Sequence, residues 1–180
     1  MNINQLFSTR ERERILRAII FQTGSLSVGA LSRELKLSKG LISQYLNILR
    51  KDGILKRTKN KYNVLENATT ASIRLLFNLG DFDAGVFGKF KFVKRAGLYG
   101  SFVKGSNTES SDIDVWILVD KASEQELARL TRALNAMDDR IRPLYLTNEK
   151  LEALKREEQT FYYSLYFGSI DIWGDKNEPL

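Results

Sequence analysis

The stretch from Tyr99 to Val119, YGSFVKGSNTESSDIDVWILV, limits what this chain can fold into more than any other segment. Leu98 and Tyr99 read as the end of a strand, and Gly100-Ser101 turns the chain into a short helix or loop. After a run of small polar residues, Ser111-Asp112-Ile113-Asp114 opens a β-branched and aromatic run that reads as a buried strand. Alternate side chains of a strand share a face, so Asp112 and Asp114 point one way while Ile113 and Val115 enter a core. Their Cα atoms then lie roughly 7 Å apart, near enough to chelate one divalent ion. Two like charges there repel each other unless a cation neutralises them or one protonates. Ten residues separate Ser101 from Asp112. Gly100 lets backbone N–H groups approach a phosphate, Ser101 adds a hydroxyl donor, and Lys104, followed by Gly105, adds positive charge. The stretch reads as a triphosphate cradle facing a metal-holding strand.

The chain contains neither Cys nor His. Disulfides, zinc fingers, thiol nucleophiles and the imidazole base are therefore excluded. A metal here is a hard ion held by oxygen, Mg²⁺ or Mn²⁺, and catalysis falls to carboxylates, hydroxyls, Lys or Arg. The Val115 to Val119 run is far shorter than the ~20 apolar residues that span a bilayer. The first residues, MNINQLFSTRERER, lack the apolar core of a signal peptide. The expectation is a cytoplasmic protein with no membrane partner.

Charge divides the chain. Residues 1–66 carry 13 Lys/Arg and 5 Asp/Glu, a net +8, and the remainder carries 15 and 17, a net −2. A basic module thus precedes a mildly acidic one, and the basic one is the candidate for nucleic acid. Ser8 with Glu11 fits a capping box before a helix bearing Ile15, Leu16, Ile19 and Ile20, which ends at Thr23-Gly24. Ser27 caps a second helix with Ala30, Leu31 and Leu35 inward. Ser38 caps a third with Ile42, Leu46 and Leu49 inward, closed by Gly53. A basic hairpin follows around Lys59-Asn60. Over about residues 8–66 this pattern resembles a winged helix-turn-helix. The face of the third helix opposite its apolar stripe shows Lys39, Gly40, Ser43, Gln44 and Asn47, short groups suited to base edges of double-stranded DNA. Arg57, Lys59 and Lys61 on the hairpin are placed for phosphates. The alternative is a solvated helix with a Lys-rich hairpin, or a winged helix that binds protein.

Residues 67–95 read as a helical linker, with a helix over 69–79 bearing Ile73, Leu75, Leu76 and Leu79. Phe82, Phe87, Phe90 and Phe92, interleaved with Lys89, Lys91, Lys94 and Arg95, either stack on bases or pack one domain on another, and packing is preferred.

Gly100-Ser101, Lys104-Gly105 and Ser111-Asp112-Ile113-Asp114 resemble the pattern of the nucleotidyltransferase superfamily of DNA polymerase β and the kanamycin nucleotidyltransferases. The small stand-alone ("minimal") prokaryotic domains are the most similar, over about residues 96–180. The resemblance implies an α/β (α+β) fold with a mixed sheet flanked by helices. It implies metal-dependent transfer of a nucleoside monophosphate from a nucleoside triphosphate to an acceptor hydroxyl. Asp112 and Asp114 would be catalytic and hold two Mg²⁺ (or Mn²⁺). Gly100 and Ser101, with Lys104 and Ser111, would bind the nucleotide, and the acceptor would be a protein, an RNA or a small molecule. Active members carry a third carboxylate on the strand after the next helix, where this chain has Arg142. Asp139 and Asp171 are the candidate substitutes, while Arg142 itself either binds a phosphate or pairs with a neighbour. Lys104 stands where Arg is more usual, keeping the charge without the bidentate geometry. A helix capped by Thr147, an aromatic segment and a last strand complete the chain. Tyr162, Tyr163, Tyr166 and Phe167 line a base pocket or, as preferred, belong to core or a dimer contact. The resulting expectation is a winged helix-turn-helix over 1–66, the linker over 67–95 and a nucleotidyltransferase-like domain over 96–180, with a homodimer as the form in which paired winged helices read two half-sites. The alternative is a transcriptional regulator whose transferase domain binds nucleotide and metal without turnover.

Overall fold

The computed structural model describes residues 3–174. It divides into two compact units, Met1–Phe77 and Asn78–Leu180. No helix among the described residues is long and apolar enough to cross a membrane.

The first unit runs α1 (Ile3–Leu6), α2 (Arg10–Ile20), α3 (Val28–Leu35), α4 (Lys39–Lys51), β1 (Leu55–Thr58), β2 (Lys61–Val64) and the larger part of α5 (Ala68–Asp81). Its core gathers Ile15, Leu16, Ile19 and Ile20 of α2 with Ile42, Tyr45, Leu46 and Leu49 of α4. Their helical spacing gives each helix one apolar face. Ser27 and Ser38 cap α3 and α4, each accepting a backbone N–H three residues on. Between these helices Lys36 turns in the left-handed region at φ 56°, which keeps the connection tight. Gly53 leaves α4 at φ 74°, and β1 and β2 pair antiparallel across Lys59-Asn60. Leu26 bridges to Tyr62 and adds a third short pairing to the hairpin.

Several local expectations are corrected. The cap of α2 is Thr9, accepting from Arg12 N, and position 12 offers no carboxylate to close a capping box. Ser8 instead accepts from the Arg12 guanidinium. Ala30 is exposed, because Leu31 and half-buried Leu35 already supply the inner face of so short a helix. On α5 the buried face is Ile73 and Phe77, while Leu76 and Leu79 are exposed. Arg74 is buried on that helix, where it donates to Ile20 O and forms a bidentate pair with Glu66. That pair holds the Glu66 carboxyl below its usual range, chiefly through the guanidinium hydrogen bond.

The second unit continues through a 3₁₀ turn (Ala84–Lys89), β3 (Val93–Tyr99), α6 (Ser101–Lys104), β4 (Ile113–Val119), α7 (Glu124–Met137), β5 (Ile141–Leu146), α8 (Asn148–Glu157), α9 (Gln159–Gly168) and β6 (Ile170–Gly174). The sheet order is β5-β4-β3-β6, with β3 antiparallel to both β4 and β6 and β4 parallel to β5. Pro143 lies on β5, an edge strand, where its missing N–H costs the ladder least. β4 is covered on both faces. Ile113, Val115, Ile117 and Val119 pack with Leu130 and Leu134 of α7, while Trp116 and Leu118 pack with Leu151 of α8 and Tyr162 and Leu165 of α9. This explains why β4 reads as a continuous apolar run after its two aspartates. A full Ser123–Glu126 capping box starts α7, and Thr147 caps α8.

The expected linker over 67–95 is divided between the units: Ile73 and Phe77 belong to the first core, whereas Val86 and Phe87 belong to the second. Phe87 is buried in that core, and Phe82, Phe90 and Phe92 pack against it partly buried. The aromatics are packing residues, but not of one domain on another as preferred. They pack against their own unit's sheet, so that unit starts well before residue 96.

Candidate active site

The end of β3 and the start of β4 create the site. Tyr99 pairs with Asp114, so the chain leaves β3 beside the point where the aspartates appear. Gly100 makes this exit at φ 72° and ψ −145°, a conformation open essentially to glycine alone. A Cβ at position 100 would overlap Oδ2 of Asp114, which therefore lies directly against the Gly100 backbone. Ser101 starts α6, Phe102 anchors that turn in the core, and Gly105 ends it at φ 65°. Lys104 is exposed. Ser111 Oγ accepts from Thr108 N at 2.9 Å and so fixes the turn that delivers Asp112. The loop is further held by two buried amides: Asn78 donates to Phe102 O at 2.6 Å and to Asn107 Oδ1 at 2.9 Å, and Asn107 donates back at 3.2 Å. Sequence reasoning missed this pair. Its signal was a lone Asn in the apolar run LLFNL.

Gly100, Ser101, Lys104, Ser111 and Asp112 thus lie on the β3–β4 connection, and Asp114 at the start of β4. Asp112 is exposed and Asp114 partly buried. The Asp114 carboxyl is pushed above its usual range by burial and then by the charge of Asp112, with Arg142 opposing. Arg142 is in register with Asp114 on the parallel neighbour β5, and its Nη2 lies 3.0 Å from Asp112 Oδ1. Its Nη1 donates to Asp139 O at 2.7 Å and Ile141 O at 3.2 Å. Of the two readings of Arg142, the structure has the pairing with a neighbour.

Neither candidate substitute joins the aspartates. Asp139 is exposed and offers Arg142 its main-chain carbonyl. Asp171, on edge strand β6, pairs with buried Arg95 at 2.9 Å. Among the described residues no cluster of three Asp, Glu, His or Cys could hold a metal. Two carboxylates at the end of one strand, with the repulsion expressed at Asp114, do suit one hard divalent ion, which ordinarily takes one or two carboxylates plus phosphate and water oxygens.

In α9, Tyr162 is buried, whereas Tyr163, Tyr166 and Phe167 are exposed. Tyr163 and Tyr166 border a 440 Å³ groove with Leu151, Glu152 and Lys155 of α8. Tyr162 therefore follows the core reading, while its three neighbours lie at the surface.

In the first unit, Lys39, Gly40 and Gln44 are exposed on α4, and Ser43 and Asn47 are half-buried. Arg57, Lys59 and Lys61 are exposed on the hairpin. Arg57 folds back, its Nε donating to Lys59 O at 3.0 Å and its guanidinium lying 5.7 Å from the Tyr62 ring centroid.

Comparison with known proteins agrees with this division. Residues 86–166 match the nucleotidyltransferase domain family, and residues 11–57 match the bacterial regulatory protein, arsR family. The chain joins a helix-turn-helix domain of the arsR type to a nucleotidyltransferase domain. A solved structure of a candidate nucleotidyltransferase from Sulfolobus solfataricus is similar at 14% identity and a TM-score of 0.39, over 64% of this chain and 95% of that one. No curated protein matches.

Proposed function

We propose that this protein binds a nucleoside triphosphate with one divalent cation at Asp112 and Asp114 and transfers its nucleoside monophosphate to an acceptor hydroxyl, while its helix-turn-helix unit binds double-stranded DNA. The observation that carries the reading is the Asp114 carboxylate seated on the Gly100 backbone at the Gly100-Ser101 turn, with Asp112 two residues before it. Asp112 and Asp114 would hold Mg²⁺ or Mn²⁺, which when bound supplies charge neutralisation and polarisation of the phosphoryl oxygens. Ser101 supplies a hydroxyl donor and Lys104 a mobile positive charge for the outer phosphates. Asn78 and Asn107 fix the loop that separates these two parts of the cradle. In the reaction the acceptor oxygen bonds to the α-phosphorus and gives up its hydroxyl proton to water as the bond to the bridging oxygen breaks, and pyrophosphate leaves with that electron pair.

A second reading, a regulator that binds nucleotide and metal without turnover, is favoured by one observation. Arg142 occupies Asp112, and no third carboxylate joins the pair among the described residues. The test is incubation of the protein with α-³²P-labelled nucleoside triphosphates, Mg²⁺ or Mn²⁺ and cell extract, beside the Asp112→Asn/Asp114→Asn double variant. Label transferred by wild type alone supports the enzyme and sizes the acceptor. Nucleotide bound by wild type and lost in the variant, without transfer, supports the regulator. Nucleotide binding unaffected by the double substitution overturns both.

A further inference from the structure

We propose that Arg142 is the resident cation of the Asp112–Asp114 site: it holds Asp112 when no divalent ion is bound, limits the site to a single such ion, and turns to the nucleotide's phosphates when that ion arrives. This rests on the metal–nucleotide reading above. The parallel register sets residue 142 beside residue 114, so its side chain emerges at the same edge as the aspartates. One guanidinium nitrogen is tied to the carbonyls of Asp139 and Ile141, and the other is presented to Asp112 at 3.0 Å. The group is therefore anchored at one corner and can exchange its partner at the other. Exchange is cheap, because both side chains of the pair are more than half exposed, at 55% and 56%. Arginine stays protonated throughout, so Arg142 always competes with a cation for Asp112.

The number of carboxylates, with Arg142 on one of them, sets the stoichiometry. Two carboxylates and one guanidinium sum to a single negative charge. One divalent ion turns that into a single positive charge, opposite in sign to an incoming triphosphate. A second ion would raise the sum by two more with no further carboxylate among the described residues to hold it.

The experiment counts Mn²⁺ bound to the full chain by electron paramagnetic resonance, first alone and then with a non-hydrolysable nucleoside triphosphate. Wild type, Arg142→Gln and Arg142→Asp are compared, with circular dichroism as the folding control. Wild type binds one Mn²⁺. Arg142→Gln tightens Mn²⁺ alone by about two- to fivefold through loss of its competitor, yet weakens nucleotide at saturating Mn²⁺. Arg142→Asp binds a second Mn²⁺. A purely structural ion pair would not move metal and nucleotide affinity in opposite directions. Unchanged Mn²⁺ affinity in Arg142→Gln overturns the proposal while leaving the metal site standing. So does a second Mn²⁺ in wild type, or a single one in a folded Arg142→Asp. Absence of Mn²⁺ from wild type with nucleotide present removes the metal–nucleotide reading itself.

Discussion

The contact between Gly100 and Asp114 makes a quantitative prediction about Gly100→Ala. Two costs add. The first is backbone strain at φ 72° and ψ −145°, where a side chain is disfavoured by about 1–3 kcal/mol. The second is the overlap of the new methyl with the Asp114 carboxylate, which must leave its position, at about 1–2 kcal/mol by analogy with overpacking. Replacing Asp114 with Ala removes only the second cost. The remaining neighbour is then Cβ of residue 114, at 3.6 Å in ordinary contact. Gly100→Ala is therefore expected to cost about 2–5 kcal/mol in the wild-type background and about 1–2 kcal/mol less in the Asp114→Ala background. Hydrogen exchange of the β4 amides, read by mass spectrometry, measures the opening of this unit separately from the first. Gly168→Ala is the control within the same unit, with nothing near the added carbon and no left-handed backbone, and it should change little. Equal cost of Gly100→Ala in the two backgrounds would refute the claim that the carboxylate rests on the glycine.

Two further outcomes are expected. Replacing Arg57, Lys59 or Lys61 singly with Ala should lower the slope of log affinity against log salt for a labelled duplex by about 0.9 per lost phosphate contact; unchanged slopes would exclude the hairpin from the DNA interface. Asp114→Asn should stabilise the second unit at neutral pH. The folded carboxyl titrates above its unfolded value, so the ionised form costs stability above that folded pKa, and the gain fades as pH falls through the carboxylate range; protection of β4 amides against pH checks this.

Much of the second unit was legible because chemistry and periodicity agree there. The aspartates alternate with Ile113 and Val115, and such alternation fixes side-chain direction before any tertiary contact is known. The caps at Ser27, Ser38 and Thr147 were equally local. Three things were not. Thr9 and Ser8 are adjacent potential caps, and only the onset of the helix selects between them. Which core the phenylalanines of residues 82–92 join is a long-range matter, since interleaved Phe and Lys look the same whether the rings cover one sheet or another domain. The partner of Arg142 depended on strand order: residues 112 and 142 meet only because β5 runs parallel beside β4. The wing residues and the α4 face were legible as exposed positions, with Ser43 and Asn47 drawn partly into the packing.

Trp116 gives the site a built-in optical probe. It is fully buried on β4, two residues from Asp114, with its ring against Gly97 and the Arg95 guanidinium 5.6 Å from it. Its indole N–H has no hydrogen-bond partner among the described residues. An indole in such a place emits toward the blue, and its emission responds to charge arriving nearby along the strand. The chain's other tryptophan, Trp173, sits half-buried on β6. Substituting it with Phe leaves a single emitter, and ion or nucleotide arrival at the aspartates becomes readable in unlabelled protein by its colour alone.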